Sequence, residues 1–200
     1  YQGTAQEDVY AASVSYSGTV FSPDLGIAGF SAEENQVDVA ACDGSWMVVW
    51  KGGEEPSGAV YARPVAGDLT LGSILNVTPY HQERWPEVEC VPHGVGFFVV
   101  WEVTYANPSG PKGVAGALLG ADGVVNDSFA IVGPDGSQTL DYTRPAVSVG
   151  NHLDRAFVVW EADRDGNPAM QDLAGRWVEM TLFADDFETG NTSRWSATVP

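Results

Sequence analysis

The chain has 200 residues, 44% of them hydrophobic, and 27 acidic side chains against nine basic ones, for a net charge of −18. That balance weighs against nucleic acid as a partner, because phosphate binding needs clustered Lys and Arg, and against anionic membrane surfaces. No run approaches the ~20 apolar residues of a spanning helix, so no membrane insertion is expected.

Strand signals dominate from the first residues on. Val, Thr, Tyr, Phe and Trp cluster in short runs bounded by Gly, Asp, Asn and Pro. Residues 8–16 and 19–30, divided at Gly18, read as two strands. Residues 37–42 form the next, and Asp43-Gly44 turns the chain into residues 46–51. A polar loop leads to a strand at 59–65, and Gly67-Asp68 turns it into another near 69–77. The plan then repeats, with strands at 86–90, 96–103, 113–119 and 128–132. It repeats once more, with strands at 145–149, 155–161 and 173–180. Asp-Gly is a strong hairpin signal because such turns need positive φ. No helix is expected.

Three phrases carry the repetition. Val37-Asp38-Val39, Pro86-Glu87-Val88 and Pro145-Ala146-Val147 precede Trp46-Met47-Val48-Val49-Trp50, Phe97-Phe98-Val99-Val100-Trp101 and Ala156-Phe157-Val158-Val159-Trp160. A third phrase follows each, ending Ala62-Arg63, Gly116-Ala117 and Gly175-Arg176. Self-similarity at about 50–60 residues marks a repeat architecture. The second strand of each repeat is apolar on both faces, which predicts burial on both sides. The predicted fold is therefore all-β: tandem four-stranded antiparallel sheets stacked face to face, blade-like, with incomplete terminal repeats. Residues 1–182 form about three and a half repeats (1–36, 37–85, 86–144, 145–182), and residues 183–200 form a tail. The first repeat lacks its first two strands, and the fourth strand of the last is missing or replaced by the tail from Phe183. Opening at Tyr1 without Met, the chain reads as a processed product or a fragment.

The pattern Pro-x-Val, Phe-Val-Val-Trp-Glu, Gly-x-Val-x-Ala-Arg resembles the propeller-type repeats of large secreted bacterial proteins. The segment Asp185-Asp186-Phe187-Glu188-Thr189-Gly190 through Trp195-Ser196 is similar to one near the C-termini of many secreted proteobacterial proteins. The resemblance implies export and a display or interaction role without catalysis. Ser22-Pro23-Asp24-Leu25-Gly26 resembles the structural Asp-box of sialidase-like propellers but lacks the Thr-Trp that follows it there, and implies no sialidase. Propellers close with roughly four to eight blades, and this chain holds fewer.

Catalytic signatures are missing: there is no Gly-x-Ser-x-Gly, His-Glu-x-x-His, Walker loop or dinucleotide fingerprint. Glu102 and Glu161, which follow the repeated Trp, read as strand-end residues meeting solvent. His81, His93 and His152 read as loop residues. Asp163, Asp165, Asn167 and Asp172 form the best metal candidate, because alternating oxygen ligands ahead of a turn suit Ca²⁺; a plain Asp/Gly/Asn turn is the other reading. Cys42 and Cys90 end the first strands of neighbouring repeats. They are either a disulfide between repeats or two buried thiols. Trp50, Trp101 and Trp160 read as core, and Trp85 as the residue placed to stack on a sugar ring.

An open stack of sheets leaves apolar end faces and unpaired edges. The expected function is a secreted extracellular structural subunit, not an enzyme, that assembles with copies of itself head to tail through strands at its termini. The alternative is a carbohydrate-binding or adhesive module of a larger secreted protein.

Overall fold

The computed structural model describes residues 8–29, 33–53, 58–78, 82–92, 95–105, 110–133, 141–150, 155–163 and 171–179. Among them the chain is all-β, and no helix is long and apolar enough to cross a membrane. The first sheet pairs β1 (Tyr10–Val14) with β2 (Val20–Gly26). The second runs β3 (Glu34–Cys42), β4 (Ser45–Gly52), β5 (Ala59–Val65), β6 (Leu75–Asn76). The third runs β7 (Glu83–Val91), β8 (Gly96–Thr104), β9 (Lys112–Leu119), β10 (Val125–Val132). The fourth holds β11 (Asp141–Val149), β12 (Arg155–Asp163) and β13 (Gln171–Glu179). Every pairing is antiparallel between strands consecutive in the chain.

The repeated phrases occupy equivalent places. Trp50, Trp101 and Trp160 lie opposite Tyr61, Ala115 and Ala174 of the third strands, and all three are buried. Three cores join neighbouring sheets. Val9, Ile27 and Ala28 pack with Val48, Trp50 and Val65 between the first and second. Met47, Val49, Val60 and Ala62 pack with Phe97, Val99, Trp101 and Leu119 between the second and third. Phe98, Val100, Leu118 and Ile131 pack with Ala156, Val158 and Trp160 between the third and fourth.

Two faces of a second strand are therefore both buried only where a sheet lies on each side. β4 and β8 meet that expectation along nearly their whole length. β12 alternates instead, with Ala156, Val158, Trp160 and Ala162 buried and Phe157 exposed.

The first strands begin earlier than the hydrophobic pattern suggests, at Glu34, Glu83 and Asp141. The reason is a bulge at one equivalent position in each. The register shifts between Asn35 and Asp38, Arg84 and Glu87, and Thr143 and Ala146. Gln36, Trp85 and Arg144 sit there with φ of 53°, 51° and 48°. A left-handed residue inserts one extra position and reverses the alternation, which hides the strand's start from a period-two reading. The fourth strand expected near 69–77 is shorter than predicted: Leu75–Asn76 pairs with β5, and Leu71 adds an isolated bridge to Val65.

Candidate functional site

Cys42 and Cys90 are joined, with an S–S distance of 2.00 Å and Cα atoms 5.2 Å apart. β3 packs on β7, and the bond fastens the two strands across the sheet boundary.

The bulges make a second set of contacts across sheets. The Trp85 backbone N–H donates to Gln36 Oε1 at 2.7 Å. The Arg144 guanidinium carbon lies 5.4 Å from the centre of the Trp85 ring, and Arg144 Nη1 lies 3.6 Å from Glu161 Oε1. Trp85 is 40% exposed, so it keeps surface for a ligand while Arg144 shares its ring. Glu102 departs from the expectation of a solvent-facing strand end. It is 1% exposed, lies 3.2 Å from Lys112 Nζ and accepts the Arg144 backbone N–H at 3.4 Å. The fourth sheet covers this end of β8, which the sequence of β8 alone does not disclose.

Carboxylates line the first strands. Asp38 accepts the Val88 N–H at 2.8 Å. Burial pushes Glu87 up to about 7, aided by the charge of Asp38 and a hydrogen bond with it. Burial and the Asp38 charge also raise Glu89. Glu83 is fully buried and raised to about 7 by desolvation, against the N–H of Gln82 and the Thr78 hydroxyl, which lower it.

Asp163 and Asp172 lie on adjacent strands at one end of the fourth sheet, where Asp163 pairs with Gln171 and Asp172 with Ala162. Asp165 and Asn167 fall outside the described residues, as do His81, His93 and His152. Among the described residues no three His, Cys, Asp or Glu side chains are gathered as a metal site.

Sequence reasoning missed the region around β13. On the outer face of the fourth sheet, Phe157 and Trp177 are cross-strand partners with ring centres 4.7 Å apart. Trp177 is 56% exposed and Leu173 is 83% exposed. Phe157 and Val159 stand where Phe98 and Val100 stand in β8, and those two are buried beneath the fourth sheet. At the other end of the molecule the first sheet exposes Tyr10, Val14, Val20 and Phe21.

Beside β13 runs a groove of about 390 Å³, lined by Phe129 and Ile131 of β10 and by Arg155, Arg176, Trp177 and Glu179 of the fourth sheet. Arg176 Nη1 donates to Ile131 O at 3.0 Å. Its counterpart two sheets earlier is Arg63, which donates through Nη1 to Ile27 O and through Nε to Gly72 O. The Ala-Arg and Gly-Arg of the repeated phrase are thus pins that reach back to the preceding sheet, to Ile27 just past the end of β2 and to Ile131 within β10. At Arg63 the segment before β6 completes the arginine's partners. At Arg176, among the described residues, the corresponding side opens on the groove.

Solved structures offer low-identity likenesses. One is the subtype N10 neuraminidase-like protein of A/little yellow-shouldered bat/Guatemala/060/2010, 11% identical, with a TM-score of 0.37 over 74% of this chain and 59% of that one. Another is a neuraminidase-like protein from A/bat/Guatemala/164/2009, 10% identical, with a TM-score of 0.36 over 86% of this chain and 60% of that one. The chain spans less than two thirds of either. No family model and no curated protein matches the sequence. Overlap this loose says nothing about substrate.

Proposed function

We propose that the chain is a secreted, non-catalytic structural subunit that joins copies of itself head to tail, the fourth sheet of one copy resting on the first sheet of the next. One observation carries the reading: the outer face of the fourth sheet holds Phe157, Val159, Leu173 and Trp177 where the earlier sheets hold residues they bury beneath a successor. A contiguous apolar patch of this kind marks an interaction site. The first sheet's exposed Tyr10, Val14 and Val20 share one face and supply the matching surface. The disulfide suits an oxidising, extracellular compartment. A subunit that stacks through unlike surfaces grows into a ring or a filament according to the rotation between copies.

Light scattering with negative-stain imaging tests it. Polymers are expected for the native chain and monomers after deletion of residues 1–16. A native chain that stays monomeric at millimolar concentration, or filaments that persist after the deletion, overturn the reading. The same measurement with a calcium chelator checks the Ca²⁺ site proposed at Asp163, Asp165, Asn167 and Asp172: shorter polymers on chelation support it, and unchanged polymers sink it.

Trp85 supports a second reading, glycan binding, because it is partly exposed beside Arg144. Titration with neutral and uronate-bearing oligosaccharides, repeated on Trp85→Ala, separates the two. Saturable binding lost in the variant favours the second reading.

A further inference from the structure

We infer that β3 carries a docking strip for the first strand of another sheet, and that its occupant is β11 of a second copy; the identity of the occupant rests on the assembly proposed above.

The strip is read from the repeat. Counted from the bulge residues Gln36, Trp85 and Arg144, each first strand has two alternating faces. The first, third and fifth residues after the bulge turn toward the sheet before, and the second, fourth and sixth toward the sheet after. In β7 the backward face is Pro86, Val88 and Cys90, and Val88 and Cys90 pack with Ala40 and Cys42 of β3. In β11 it is Pro145, Val147 and Val149, and the two valines pack with Val91 of β7. In β3 it is Val37, Val39 and Ala41. Val88 and Val149 are 3% and 9% exposed, whereas Val37 and Val39 are 56% and 55% exposed. Ala41 is exposed as well. Three apolar side chains thus stand at the surface where the two later sheets cover theirs.

The cover in those sheets is the first strand of the sheet before. Arg63 reaches Ile27 just past β2 as Arg176 reaches Ile131 of β10. So β2 holds the place of a fourth strand, and its partner β1 that of a third. Among the described residues the first sheet has no strand in the first place, and β3 meets none there.

The complementary half lies at the other end of the row. The forward faces of β3 and β7 each meet a successor: Asp38 accepts the Val88 N–H at 2.8 Å, Cys42 bonds Cys90, and Val91 packs with Val149. The forward face of β11 is Ala146, Ser148 and Gly150, of which Ala146 and Ser148 are exposed. The row β3, β7, β11 therefore ends in two unlike surfaces, each one half of an interface formed twice within it. Contact between unlike surfaces is what joins copies head to tail. Both ends are uncharged, and on a chain of net charge −18 such strips let copies approach with least repulsion.

The assembly brings the halves together. β3 belongs to the sheet directly behind the first, and β11 belongs to the fourth. A copy seated by its first sheet on another's fourth sheet places both at one seam. Because the first sheet holds only a third and a fourth strand, the neighbour's β11 meets β3 at the first-strand end of that seam. The internal disulfide supplies the register. Cys42, sixth after its bulge, is bonded to Cys90, fifth after the next. The same step sets Gly150 of one copy against Ala41 of the next.

The experiment is a disulfide trap in the full-length chain. A41C/G150C is oxidised mildly and run on a gel without reductant. A ladder of covalent polymers that dithiothreitol collapses is expected. Ala41→Cys and Gly150→Cys alone should stay monomeric, and their equimolar mixture should stop at dimers, since each chain then offers one half. Peptide mapping assigns the bond, and circular dichroism confirms that each variant folds. Val39→Asp, which adds no thiol, should weaken association at least ten-fold in sedimentation with an unchanged dichroism spectrum, because it sets a charge in an apolar contact. Native polymers that yield no ladder overturn β11 as the occupant and leave the assembly reading standing. Association unchanged in Val39→Asp overturns the strip itself. A bond between the two introduced thiols of one chain overturns the second copy, because the ends of the row then meet within a single molecule. A native chain that stays monomeric, with no ladder, sinks the assembly reading and this inference together.

Discussion

Arg144 lies over the ring of Trp85, its guanidinium carbon 5.4 Å from the ring centre, although the two belong to different sheets and stand 59 positions apart. Each occupies the left-handed bulge of its own first strand, and the Trp85 N–H is tied in turn to Gln36, the bulge residue of the sheet before. Non-glycine residues at positive φ are uncommon and are held only where their surroundings over-determine them. Here the surroundings are the bulges themselves, each positioning the next.

Stability should fall as pH rises from about 4.5 toward 7. Glu83 and Glu87 have ordinary values of 4.5 and stand near 7 in the fold. Below 4.5 both states hold these protons. Between 4.5 and 7 the unfolded chain releases them first, which favours unfolding. Buried Glu83 alone accounts for a change on the order of 3 kcal/mol at ~1.4 kcal/mol per unit. Glu83→Gln should flatten the urea midpoint across that window; an unchanged pH slope in the variant counts against the assignment.

Reduction should weaken the molecule without dismantling its sheets. The cross-link spans 48 positions, and loop-closure entropy assigns a bond of that span about 4 kcal/mol. Unfolding in urea with and without dithiothreitol measures it, and a difference below about 1 kcal/mol contradicts the estimate.

Leu173→Ser and Trp177→Ser should reduce association at least ten-fold while shifting the thermal midpoint by only a degree or two. Both side chains are largely exposed in one copy, and surface substitutions typically cost under about 0.5 kcal/mol. A loss of fold in both variants contradicts their placement.

Salt should promote assembly. Copies carrying −18 each repel, and raising ionic strength from ~0.01 to ~0.15 M shortens the screening length from about 30 to 8 Å. Polymers that dissolve as salt is added would mean that attraction between charges, not apolar contact, holds the copies together.

Much of the fold is legible in the repeated phrases, because Val-Val-Trp is apolar on both faces and few environments accept that. Trp50, Trp101 and Trp160 follow directly. The cysteines were legible only as far as their equivalent positions, since bonding depends on the spacing of β3 and β7. The bulges left no trace, because nothing in Gln36, Trp85 or Arg144 prefers a left-handed backbone. Arg63 and Arg176 stood in view within the third phrase, yet their partners are carbonyls 36 and 45 positions away. The groove depends on where β10 passes β13, a relation between two strands of unrelated sequence.

The Cys42–Cys90 bond also sets how the molecule would bear a load. Pulled from its two ends, the chain transmits tension from the second sheet to the third through a covalent link. The 48 positions bridged by it, about 160 Å of extended chain, are shielded from stretching. The strands outside the loop, β3 and everything from β8 on among them, can unravel while the enclosed run from β4 to β7 keeps its length, and a reducing agent would release that hidden length in a single step.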